Sequence, residues 1–161
     1  MKPEPPEQDQ SLSHYPSPAR SSDQTVNETL KLLEDLTPDE AIYLLGTAFF
    51  SENARLILHI EATAPLIIEP LSKTFLGRSE ESPSDGLYVN LVPYNAKAKG
   101  VSRLHAVLHR SSMTIAIEDL NSRNKTYVNS QLITPHQVQM LHDGDEILLG
   151  GLHIRVAFQY G

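Results

Sequence analysis

The spacing of hydrophobic positions changes character once along the chain. In residues 25–36, TVNETLKLLEDL, Val26, Leu30 and Leu33 fall on one helical stripe, with Leu32 and Leu36 beside it. Thr37-Pro38-Asp39-Glu40 then has the form of a new helix start: Thr37 as N-cap, Pro38 in the first turn and Glu40 completing a capping box. Gly46 is the expected stop. From Arg55 the period becomes two. Leu56, Leu58 and Ile60 alternate with Ile57, His59 and Glu61, which predicts a strand. Further strands are predicted at 66–69 (limited at its start by Pro65), 73–76 and 87–92. Later ones follow at 106–109, 113–118, 126–129, 131–134, 138–141, 146–149 and 152–158. Many short strands at close spacing, with no helix between them, predict an all-β fold. The expected architecture is an antiparallel β-sandwich over 54–160 with a short N-terminal helical extension over 25–50.

Residues 1–24 contain five of the eleven prolines and five serines, with few apolar side chains. Such a stretch cannot bury enough surface to offset its ordering entropy, so it is expected to be a disordered tail. Ser17-Pro18 within it is read as solvated linker. The helices at 25–50 are expected to pack on the sandwich, with partner docking as the alternative.

Composition narrows the function classes. The chain has no cysteine, which excludes a disulfide framework and thiolate chemistry and suits a reducing, cytoplasmic setting. The opening MKPEPPEQDQ lacks the apolar core of a signal peptide, and no apolar run reaches transmembrane length, so no membrane association is expected. A net charge of −7 speaks against nucleic acid as a partner. The charge is uneven, however. Residues 95–126 carry six Lys/Arg (97, 99, 103, 110, 123 and 125) against Glu118 and Asp119, a local +4 that leaves −11 elsewhere. A small cationic patch on an acidic chain suits a small anionic ligand.

Residues 100–129 concentrate the chemistry. Ala106–His109 and the alternating run from Met113 to Glu118 form a hairpin with Ser111 and Ser112 in its turn. Ser102-Arg103-Leu104-His105 precedes the hairpin and Asn121-Ser122-Arg123-Asn124-Lys125-Thr126 follows it. Closing the hairpin brings both polar loops to one end of the sheet. A phosphate dianion is held by such groups: arginine forks, neutral hydroxyl and amide donors, and backbone N–H groups.

This ordered set resembles the forkhead-associated (FHA) domain, a phosphothreonine-binding β-sandwich of the FHA/SMAD-like kind. The family pattern is Gly-Arg, then Ser-x-x-His, then Ser-x-Asn-Gly-Thr-x-x-Asn. It is matched here by Gly77-Arg78, by Ser102 to His105, and by Ser122 to Asn129. Leu141 to Ile147 and Leu149-Gly150 resemble the family's Leu-x-x-Gly-Asp-x-Ile and Leu-Gly elements. The chain departs from the pattern at Lys125 and Ser130, where glycine is usual; a side chain at a positive-φ turn costs on the order of 1 kcal/mol. The resemblance implies that Arg78 and Ser102 bind phosphate directly, with Arg103 and Arg123 at neighbouring phosphate-contacting positions. It implies that Asn124 hydrogen-bonds the ligand main chain, and that Gly77, His105 and Asn129 support the site structurally. It further implies a threonine-phosphorylated protein or peptide as partner, a Ser/Thr kinase upstream, and a role in signal transduction. Some bacterial members bind their own phosphorylated N-terminal threonine, and Thr25 and Thr29 are the loosely similar candidates here.

Other readings are weaker. Ser102, His105 and Asp119 are the residue types of a hydrolase triad, but no Gly-x-Ser-x-Gly elbow accompanies them. Asp143 and Asp145 lack the further oxygens of a calcium loop, and His105 and His109 on a strand do not converge. No metal, no cofactor and no catalysis are expected. The alternative function is phosphate-independent assembly through the same fold.

Overall fold

A computed structural model of the chain describes residue 31 and residues 35–161. The segment 1–24 and nearly all of the expected helix over 25–36 lie outside the described residues. Helix α1 (Pro38–Leu45) opens with the capping box: the Thr37 hydroxyl accepts from the Glu40 N–H, and the Glu40 carboxylate accepts from the Thr37 N–H. Gly46 ends it at φ +53°, a conformation few other residues take cheaply.

Eleven strands follow: β1 (Arg55–Ile60), β2 (Leu66–Ile68), β3 (Lys73–Gly77), β4 (Leu87–Asn90), β5 (Ala106–Arg110), β6 (Ile115–Asp119), β7 (Thr126–Val128), β8 (Gln131–Leu132), β9 (Val138–Met140), β10 (Glu146–Leu149) and β11 (Leu152–Gln159). They make a six-stranded sheet, in the order β2-β1-β11-β10-β7-β8, and a five-stranded sheet, in the order β4-β3-β5-β6-β9. The core lies between them. Leu56, Leu58 and Ile60 of β1 point inward, while Arg55 and His59 point out, as period two requires. Ile147 and Leu149 of β10 and Leu152, Ile154 and Val156 of β11 extend the same layer, and Leu76 of β3, Leu108 of β5 and Ile115 and Ile117 of β6 face it from the other sheet.

Three details differ from the sequence expectation. The β3–β4 pair is parallel, because the excursion through 78–86 returns the chain in the same direction; every other pair is antiparallel. The hairpin turn spans 111–114 rather than two serines. Its Thr114 is buried because the hydroxyl pairs with Ser111 Oγ at 2.6 Å, so the inward alternation begins at Ile115. Strand β4 ends at Asn90, whose side chain accepts from the Val92 N–H at 3.0 Å and starts a 3₁₀ turn containing Pro93.

Strand directions define two ends of the sandwich. Gly77, Ser102–His105, Leu120–Lys125 and Gly150 gather at one, the loop end. Arg110–Thr114, His142–Asp145, Ser51–Ala54 and Tyr160 gather at the other. The segment after α1 docks at the second end: the Asp143 N–H donates to Thr47 O at 2.7 Å and the Phe50 N–H to Met113 O at 2.8 Å.

Candidate functional site

The loop end is assembled by backbone contacts before any charged side chain takes part. A Cβ on Gly77 would lie 1.9 Å from the Arg103 carbonyl oxygen, so only glycine permits this approach. The approach extends the ladder beyond β3. Arg78 N–H donates to Ser102 O and Ser79 N–H to Arg103 O, both at 3.2 Å. The Arg78 side chain is then oriented by its Nε–H, which donates to Val101 O at 2.6 Å. Among the described residues the terminal guanidinium N–H groups take no partner. Arg78 is thus aimed rather than neutralised, with the planar end of its fork left for an anion.

His105 pins the second loop from inside. It is fully buried. Its Nδ1 accepts from the Ser102 N–H at 3.0 Å, so Nε2 carries the proton and donates to Lys125 O at 3.0 Å. Burial pushes its pKa below the ordinary histidine value, against smaller opposing effects of the Lys125 carbonyl and Asp119. A neutral ring therefore links the loop before β5 to the loop after β6. The hydrolase reading fails on this geometry. Both ring nitrogens are engaged with backbone, so His105 has no nitrogen with which to take a proton from the Ser102 hydroxyl.

The third loop turns on Asp119, which is completely buried. It accepts from Ser122 Oγ, from Ser122 N–H at 3.0 Å and from Thr126 Oγ1 at 2.6 Å. Burial alone would raise its pKa, but these hydrogen bonds outweigh it and hold the carboxyl below its usual value. The loop so fixed presents Arg123 N–H to Ser102 Oγ at 3.1 Å. Since the hydroxyl accepts there, its own proton remains available to donate outward. The Asn124 amide donates to Gly100 O at 2.9 Å, leaving its Oδ1 and second N–H. Gly100 takes φ +76°, which disfavours a side chain, and a Cβ there would sit 2.5 Å from the Asn124 amide nitrogen and displace that amide.

The predicted set is thus brought together in large part. Gly77, Arg78, Ser102, Arg103, His105, Arg123 and Asn124 share the loop end, with the side chains of Arg103, Arg123 and Asn124 exposed. Asn129 does not join them. It sits at the far end of β7, where its amide donates to Asp145 Oδ1 at 2.8 Å and its Oδ1 accepts from the Glu146 N–H at 3.0 Å. Any support it gives the site passes through β7. The cationic run also divides. Arg110 lies at the opposite end and Lys99 pairs with Glu61 at 3.4 Å. Sequence reasoning gave no role to Ser122 and Thr126, although both stand in the motif, nor to Gly100. The partners of a buried aspartate are not visible from spacing alone. Lys125 and Ser130 adopt the left-handed conformation that the glycines usual there would take, at φ +69° and +67°. Asp143 and Asp145 serve the fold instead of a cation: Asp143 accepts from Phe158 N–H, Asp145 from His142 N–H and Asn129. Among the described residues no group of three His, Asp or Glu side chains is placed to hold a metal ion.

Two sheets thus carry an arginine, a serine and an asparagine on loops at one end. The FHA domain model matches residues 74–150. Similar structures share the fold. The FHA domain of a hypothetical protein from Arabidopsis thaliana is 28% identical, with a TM-score of 0.53, covering 72% of this chain and 94% of that one. An FHA domain analysed for phosphothreonine-dependent interactions is 24% identical, with a TM-score of 0.50, covering 66% and 98%. Mycobacterium tuberculosis EmbR, in complex with a low-affinity phosphopeptide, is 21% identical, with a TM-score of 0.55; the match covers 86% of this chain but 36% of EmbR. No curated protein matches the chain.

Proposed function

We propose that the loop end binds phosphothreonine in a peptide or protein partner, and that the chain acts as a non-catalytic module joining proteins after threonine phosphorylation. The observation that supports this most is the state of three donors held on or against the 100–102 segment. The Arg78 fork is oriented by Val101 O, the Ser102 hydroxyl is turned outward by the Arg123 N–H, and Asn124 keeps half of its amide uncommitted. Such preorganised donors lose little entropy on meeting a dianion. Arg103 and Arg123 add positive potential at the rim. The partner is threonine-phosphorylated by a Ser/Thr kinase, and we assign the encounter to the cytoplasm, where such a chain without cysteine is at home.

Self-binding through phosphorylated Thr25 or Thr29 is the second partner within this proposal. The chain enters the sandwich at the end opposite Arg78. Thirteen residues from Thr25 to Pro38 span at most about 45 Å when extended but only about 20 Å as helix. The eight residues of β11 alone run about 26 Å. Self-binding in cis therefore requires segment 25–36 to be extended, and a helix there leaves the site to partners in trans.

Calorimetric titration with a phosphothreonine peptide and its unphosphorylated twin tests the proposal. Binding of the phosphorylated form alone is the expected result. Equal binding of both would instead indicate phosphate-independent assembly.

A further inference from the structure

Beside the phosphate-binding donors lies an open depression of about 370 Å³, lined by Arg78, Ser79, Glu80, Glu81 and Arg103. Its composition is unexpected for an anion site. Loop 79–86, SEESPSDG, contains three acids and no base. Asp85 is committed to Lys73 at 3.3 Å. Glu80 and Glu81 form no ion pair among the described residues, although both line the same depression as two arginines. They are held near it by the ladder that places Arg78. Ser79 N–H donates to Arg103 O, and Ser79 Oγ then accepts from the Glu81 N–H at 3.1 Å, turning the chain within two residues of the anchor.

A phosphate dianion arriving alone meets Arg78 and Arg103 but also two nearby carboxylates. Like charges at this range oppose binding, and the effect is strongest at low ionic strength. A ligand carrying a cation next to its phosphate meets opposite charge at both places. We infer that Glu80 and Glu81 form a specificity subsite that selects phosphothreonine peptides with a lysine or arginine within about three residues of the phosphothreonine. The inference rests on the proposed phosphothreonine reading and extends it from the phosphate to the sequence around it.

The test uses the full chain and fluorescence anisotropy with short peptides, each with a central phosphothreonine in an alanine-glycine background. One set carries a single lysine at each of the three positions on either side; a second carries alanine throughout; unphosphorylated twins accompany both. The wild-type chain is expected to bind at least one lysine peptide about three- to tenfold more tightly than the alanine peptide at low salt, the range of two exposed ion pairs. In the E80Q/E81Q double variant that advantage should vanish, while the alanine peptide binds slightly more tightly. The same lysine preference in both proteins, or none in the wild type, overturns the subsite while leaving phosphothreonine binding intact. Failure of every phosphorylated peptide to outbind its twin removes the underlying reading and the subsite with it. The thermal midpoint of the variant, expected to match the wild type, separates loss of preference from loss of fold.

Discussion

The two ends of the sandwich use arginine in opposite ways. At the loop end Arg78 commits a single N–H, its Nε–H, to Val101 O and leaves the rest of its guanidinium outward. At the other end Arg110 commits its head inward. It donates to Pro70 O at 2.9 Å, to Ser51 O at 3.4 Å and to Glu52 O, and lies 5.3 Å from the Phe50 ring centroid. Around it Phe50 packs edge-on against Phe158 at 4.9 Å. One end is a set of aimed donors on a hydrogen-bonded frame; the other is a closure in which charge is satisfied by the chain's own carbonyls. The same residue type is left open to a ligand or spent on the fold according to whether backbone acceptors surround its head group.

The largest expected effects come from exchanging these roles. Arg78→Ala should reduce phosphopeptide affinity tenfold or more, since charge-assisted hydrogen bonds contribute roughly 1.5–3 kcal/mol each. Its thermal midpoint should stay near that of the wild type. Arg110→Ala should do the reverse: a loss of about 1–3 kcal/mol of stability from carbonyls left unpaired, with the remaining folded protein binding normally. Calorimetric binding and thermal unfolding measured on both variants decide the matter. A destabilised Arg78 variant, or an Arg110 variant that folds fully yet fails to bind, would abolish the distinction between the ends.

Next in size is the brace beneath the loop end. His105→Ala removes the bond from the Ser102 N–H and the bond to Lys125 O together, at about 1–3 kcal/mol of stability. Binding should fall in step as the loops loosen; a fully stable variant that has lost only affinity would place His105 in ligand contact. The pH dependence follows from the same ring. Its folded pKa is lowered by burial, so the unfolded state takes up its proton first as pH falls. The stabilisation is present above about pH 6.5, the unfolded histidine value, and is lost as pH falls towards the folded one. Removing the ring should flatten that part of the stability curve, which chemical denaturation at pH 7.5 and pH 5 would measure.

Strand positions and site were unequally legible in the sequence. Period two located β1 and β6, which bury one face and show the alternation residue by residue, whereas β3 and β5 read as short apolar runs and β8 and β9 bury neither face. Strand ends were less visible, since side-chain hydrogen bonds set them: Asn90 stops β4, and the Ser111–Thr114 pair sets the turn before β6. The parallel β3–β4 pair left no trace in periodicity, which is blind to direction. At the site, the motif resemblance named Arg78, Ser102 and Asn124, with Gly77, His105 and Asn129 as their support, but not the buried aspartate that fixes the third loop. Asp119, Ser122 and Thr126 act through buried bonds within one loop, and such bonds depend on three-dimensional closure. Arg110 was counted with the ligand-end cations because charge counts along a chain ignore that a five-residue strand carries its two termini to opposite ends.

The smallest effects concern two residues in a glycine conformation, one at each end. Lys125 at φ +69° lies on the loop end and Ser130 at φ +67° lies beyond β7, near the opposite end. Replacing either with glycine relieves backbone strain of on the order of 1 kcal/mol, partly offset by the greater freedom glycine gives the unfolded chain. Both variants should therefore gain a few tenths of a kcal/mol, seen as a small rise in the denaturation midpoint. Their effects on binding should differ. Ser130→Gly touches nothing near the donors and should leave affinity unchanged. Lys125→Gly keeps the carbonyl that His105 bonds but removes a half-buried cation from the loop beside Arg123 and Asn124, so affinity should fall slightly and most at low salt. Equal salt dependence in the two variants would show that Lys125 is present for the shape of its turn and contributes nothing to the field that draws the phosphate.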